Sequence, residues 1–184
     1  MLFCPDSETD HVIDLEIGEL VMKKKDVPPK SMQTPYSKAH DDEKVSRNWR
    51  KARGLYKRGE YSVAVIRCST CIELAVNFAI RQELVVKRHL PLIFVDKLLH
   101  NANGLRNKYN NIFFHIMPDD KHPQLKKLWK DQIDKINTQR NAVVHSGEFR
   151  TKKVVKPVME YTLVALKEIM GLYEHSASLD EITT

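Results

Sequence analysis

"RNAVVHSG", residues 140–147, sets an arginine into an apolar helical seam, follows it with a histidine five residues on, and stops at glycine. Counting back in steps of three and four reaches Ile136, Ile133, Trp129 and Leu125, one stripe of a helix that starts near Pro123. Continued forward, the same stripe predicts Arg140 at a core-facing position. An unpaired buried guanidinium is expensive, so the position calls for a carboxylate or a bound anion. Gly147 suits the left-handed residue that ends a helix. His145 falls in the last turn, where the helix dipole favours an imidazolium. On an ideal helix Arg140 and His145 stand about 140° apart, whereas Asn141 and His145 share a face. One helix alone is therefore not expected to aim Arg140 and His145 at one atom; a fraying last turn or a second copy packed across a two-fold axis would.

Working outward, the spacing predicts helices nearly throughout the body. Asp41 and Asp42 cap a helix to about Lys57, broken by Gly59. Tyr61, Ala64, Val65, Cys68, Ile72, Ala75 and Ala79 mark a central amphipathic helix. Pro91 opens a third helix, which the Asn- and Gly-rich 101–111 ends or loosens, and residues 101–121 read as an irregular connection. A fifth helix carries Val155, Val158, Thr162, Ala165, Ile169 and Leu172, with Pro157 near its first turn. The expected fold class is all-α: an antiparallel bundle of about five helices over 42–176. Before it, residues 1–41 read as an acidic arm, with a short strand suggested by Ile13, Leu15 and Ile17 and a Pro-containing linker at 26–35. Residues 177–184 read as a tail.

The chain has 184 residues, 42% of them hydrophobic, enough for one domain with a real core. No run approaches an uncharged membrane span and no leader pattern opens the chain, so a cytoplasmic protein away from the membrane is expected. Cys4, Cys68 and Cys71 are too few for a disulfide framework, and Cys68 with Cys71 reads as two small buried thiols rather than half a zinc site. No carboxylate cluster suggests a two-metal site, so neither metal nor other cofactor is expected. Net charge is +6, but residues 1–22 hold six acids and no Lys or Arg, leaving 30 basic against 18 acidic residues in the remainder. A body that basic suits a polyanionic partner. Basic clusters occur at Arg47, Arg50, Lys51 and Arg53, at Lys126, Lys127 and Lys130, and at Arg150, Lys152, Lys153 and Lys156. The last adjoins the motif and is the best candidate for contact with the backbone of such a polyanion, RNA if the resemblance given below holds, with Arg150, Lys152 and Lys153 foremost. The others read as solvated faces.

"RNAVVH" resembles the Arg-x4-His motif of HEPN domains, where a polar residue such as Asn commonly follows the arginine. The helix "YSVAVIRCSTCIELAVNFAI" at 61–80 resembles the second helix of that family, and the span 42–176 is similar to it in length and helix order. Many HEPN proteins are metal-independent endoribonucleases acting as dimers in toxin–antitoxin pairs, phage defence or RNA-stress responses. The resemblance implies His145 as general acid or base at the ribose 2′-OH or the 5′-oxygen, and Arg140 at the scissile phosphate. It implies Asn141 as the group positioning phosphate or imidazole. It also implies RNA as substrate, a homodimer with a composite site, and an antitoxin or other regulatory partner. Glu73, on one face with Thr70 and Asn77, would support the site. Other readings stay open: Arg140 bridging a buried Glu73, His145 as a plain helix cap, and a non-catalytic HEPN module that binds RNA, nucleotide or a partner protein.

Overall fold

The central element of the fold is the most apolar helix. In the computed structural model, which describes residues 34–173, α1 is Asp41–Lys57 and α2 is Tyr61–Lys87. They are followed by α3 (Leu92–Asn101), α4 (104–116), α5 (122–146) and α6 (Lys152–Met170). Every regular element among the described residues is helical, with no strand. Val65, Cys68, Ile72, Val76 and Ile80 of α2 are completely buried, against α1 on one side and α6 and α5 on others. Burying a side chain the size of Ile72 contributes about 1.5–3 kcal/mol, so this stripe holds the bundle together. By length and hydropathy α2 could span a bilayer, but it carries Arg67 and Glu73, in keeping with the absence of an uncharged span, and 61% of its apolar window is buried in the bundle. It is a core helix because its neighbours cover it.

Helix ends follow local chemistry. Gly59 turns at φ 79°, as its place after α1 requires, and Pro91 precedes α3. At α1 the first turn carries Asp41, Asp42 and Glu43, which suit the positive end of the dipole. The capping position is His40, without a side-chain cap; Asp42 Oδ1 instead accepts the Glu43 N–H at 2.8 Å.

Two expectations are corrected. Among the described residues the bundle has six helices where about five are expected, because the segment 101–121 holds α4. Asn103 and Gly104 start that helix, and Tyr109 and Phe113 bury completely to hold it against α2. Pro157, expected near the first turn of the last helix, is its sixth residue. The strand suggested at 13–17, the linker up to residue 33 and the tail at 177–184 lie outside the described residues.

A wide π turn at Trp129–Ile133 interrupts α5. It rotates Leu128 inward with Leu125, Ile133 and Ile136, all buried, while Trp129 turns to meet the Tyr109 ring at 5.1 Å. Beyond Ile136 no residue of α5 is buried. The last three turns of the helix stand at the edge of the bundle.

Candidate functional site

Arg140 keeps the phase of Ile133 and Ile136, but at its height the core has ended. Its side chain is half-buried at the mouth of a polar cleft, not in the seam, and so requires no internal carboxylate. This corrects the sequence expectation of a core-facing guanidinium. The pairing with Glu73 is also corrected: Glu73 Oε1 takes Lys108 Nζ at 2.6 Å, and no carboxylate among the described residues pairs with Arg140.

The guanidinium meets its own helix instead. Arg140 Nη1 donates to Asn141 Oδ1 at 3.0 Å and lies 3.2 Å from His145 Nε2. As a hydrogen bond the second contact makes Nε2 the acceptor, which places the ring proton of a neutral His145 on Nδ1. Two features bring together side chains that an ideal helix would hold about 140° apart. Arginine is long enough to run along the helix surface, and the final turn is loosened: Gly147, at φ 65°, donates to the Ala142 carbonyl five residues back, and Glu148 N–H reaches the same oxygen at 3.1 Å. One helix therefore brings Arg140, Asn141 and His145 together without a second copy.

The cleft, about 300 Å³, is lined by Ser69 and Glu73 of α2, Asn137, Arg140 and Asn141 of α5, and the start of α4 with Asn103 before it. Arg106 lines it too, held by Asp134 at 2.8 Å. Sequence reasoning missed Asn103, Arg106, Asn107 and Asn137. The signal was present in "NANG", 101–104, an Asn–Gly pair that reads as well as the start of a helix as the end of one. The first turn of α4 lines the same cleft as Arg140 and has no side-chain cap, and the backbone N–H groups of an uncapped first turn favour an anion.

The basic residues after the motif divide. Arg150 turns inward: its side chain is 11% exposed, Nη1 holds Glu148 at 2.7 Å, and Nε is buried without a hydrogen-bond partner. Its backbone N–H donates to Ser62 Oγ at 2.9 Å, which ties the α5–α6 turn to α2. Lys152 and Lys153, in the first turn of α6, are exposed. Of the three residues expected to touch RNA, these two present their charge to solvent.

Cys68 and Cys71 are free thiols buried in α2; burial pushes Cys68 up to about 12 and Cys71 well above its ordinary value. Neither supplies a thiolate. Among the described residues no three His, Cys, Asp or Glu side chains converge to hold a metal ion.

No family model, no curated protein and no solved structure matches this chain.

Proposed function

We propose that this chain is a HEPN-type endoribonuclease that cleaves RNA by attack of the ribose 2′-OH on the adjacent phosphorus, without a metal ion. The observation that carries the reading is the 3.2 Å approach of Arg140 Nη1 to His145 Nε2, with Asn141 on the same nitrogen, beside a polar cleft that Arg140 and Asn141 line together with Arg106, Glu73, uncharged polar groups and a helix start. A phosphate drawing Arg140 onto its non-bridging oxygens leaves His145 Nε2 as an unprotonated base beside it. Nε2 then takes the proton from the 2′-OH, the new O2′–P bond forms, the P–O5′ bond breaks, and the products are a 2′,3′-cyclic phosphate and a 5′-hydroxyl. DNA, lacking the internal nucleophile, is not cut.

One imidazole cannot be base and acid in the same step. A second His145 from another copy supplies the proton to the leaving 5′-oxygen, so the proposal includes a homodimer with the two motifs facing one groove. Exposed apolar side chains flanking the motif support this: Val144 is 43% exposed and Phe149 91%. With the reading come a HEPN-like arrangement of the bundle, Lys152 and Lys153 on the RNA backbone, an antitoxin or other regulator that limits cutting, and action in the cytoplasm. The test is RNA cleavage in EDTA by wild type, Arg140→Ala and His145→Ala, each first shown to be folded. The reading requires cutting by wild type and its loss in both variants; a folded wild type that leaves RNA whole favours the non-catalytic module.

A further inference from the structure

Part of the first basic cluster of the sequence, Arg50 and Lys51, does not lie on a plain solvated face. Arg50 and Lys51 of α1, Arg58 just after it and Arg67 of α2 line a cleft of about 520 Å³, with Val63 as part of its wall, and among the described residues no carboxylate lines it. Lys51, Arg58 and Arg67 concentrate positive charge around this concavity, a setting that attracts an anion.

Two details show that the cleft is shaped. Arg67 is held by Asn48 Oδ1 at 3.3 Å, and the buried Asn48 is itself fixed by the Lys44 carbonyl at 2.8 Å and the Tyr36 hydroxyl at 3.0 Å. Gly54, inside α1, forms part of the lining. A helix-interior glycine is worth about 0.5–1 kcal/mol less than alanine, yet its φ is not positive. Apart from the backbone of α1 itself, an added Cβ would meet Arg58 Nη1, at 3.4 Å. Neither backbone conformation nor core packing calls for glycine there; a Cβ at this position would touch the Arg58 guanidinium at ordinary contact distance. Glu60 occupies Arg58 Nε at 2.7 Å, an exposed pair that contributes little.

The cleft and the candidate active site share one helix, α2, and use different faces of it. Val63 follows Ser62, which receives the Arg150 N–H of the turn leaving the motif, and Ser69 and Glu73 of the same helix line the Arg140 cleft. At 1.5 Å and 100° per residue, Arg67 and Glu73 are about 9 Å apart along α2 and about 120° apart around it, so a strand that reaches both passes around the helix.

We propose that this cleft grips the phosphate backbone of single-stranded RNA as an anchoring site separate from the Arg140–His145 pair. The inference rests on the reading of RNA as substrate. Its test is equilibrium binding of a fluorescent single-stranded RNA of about 20 nucleotides, at salt from about 50 to 200 mM, to the full chain carrying His145→Ala so that nothing is cut. Lys51→Glu/Arg58→Glu is compared with Lys127→Glu/Lys130→Glu, an equal charge change at exposed lysines of α5, and with the milder Lys51→Gln/Arg58→Gln, all checked for helical content. The expected result is an affinity loss of about tenfold or more for the first pair, a salt slope lower by about 0.7 per contact removed, and less than about threefold for the α5 pair. Equal losses in both pairs, no loss in either, or no RNA binding by the parent overturns the proposal. Loss of binding confined to the cleft variants, in a protein that never cuts RNA, sustains the anchoring site and removes the nuclease reading. Cutting by wild type with unchanged binding by the cleft variants does the reverse.

Discussion

Arg140 and His145, five residues apart on α5, meet at 3.2 Å through Nη1 and Nε2, although an ideal helix directs them to different faces. The contact depends on where α5 stops. Its last buried residue is Ile136 and its closing residue is Gly147, so the motif occupies turns that are helical but not packed in the core. That separation of motif from core makes the following outcomes specific.

Core and motif should respond differently to truncation. Ile136→Ala removes a fully buried side chain and is expected to destabilise by about 2–5 kcal/mol, whereas Val144→Ala, 43% exposed, should stay within about 0.5 kcal/mol. Denaturant melts at a protein concentration low enough to keep the chain monomeric measure both. Equal losses would mean that α5 is packed along its whole length.

Gly147 tests the helix stop. At φ 65°, with nothing within 4 Å of an added Cβ, Gly147→Ala pays only the left-handed conformational penalty, about 1–2 kcal/mol. Gly147→Asn should lose visibly less, since Asn tolerates that region. Comparing their melting midpoints decides the point, and a harmless Gly147→Ala would contradict the turn as described.

Much of this geometry is legible in the sequence. The 3–4 spacing of α2, the stop at Gly147 and the stripe through Ile133 and Ile136 follow from periodicity and one glycine. Arg140's depth was not legible, because periodicity gives direction around a helix but not where the neighbouring helices end. The π turn at Trp129–Ile133 and the loosened close at Ala142 are likewise set by tertiary packing. Helix α4 was hidden by "NANG", where residues that end one helix also begin the next. The partner of Glu73 was unreadable because Lys108 belongs to that unrecognised helix.

Because Glu73 pairs with Lys108 rather than with Arg140, Glu73→Gln should leave RNA cutting within about tenfold of wild type, far from the roughly 10²–10⁴-fold that a general acid or base supplies. Single-turnover rates at saturating RNA provide the comparison. A loss as deep as that of His145→Ala would place Glu73 in the chemistry.

Alkaline stability follows from the buried thiols. Cys68 has an ordinary value of 9.0 and stands at about 12 in the fold, so below pH 9 both folded and unfolded chains keep the proton and stability is unaffected. Between about pH 9 and 12 only the unfolded chain loses it, and stability falls as pH rises. Cys71, Tyr109 and the Tyr173 hydroxyl, 3.1 Å from Glu83, are shifted upward by burial and add to the same trend. Melting temperatures across pH 7–11 should therefore be flat and then decline. In a Cys4→Ser background a thiol reagent should label the native protein at neither remaining cysteine and the unfolded protein at both; rapid native labelling would contradict their burial.

The most direct test of the central claim is the chemistry of the RNA ends produced in EDTA. The account predicts 2′,3′-cyclic phosphate and 5′-hydroxyl termini from wild type, no cutting of a substrate with a 2′-deoxy sugar at the cleavage position, and loss of activity by at least about a hundredfold in folded Arg140→Ala and His145→Ala. Cutting that leaves 3′-hydroxyl ends, or that survives unchanged in folded His145→Ala, would contradict it.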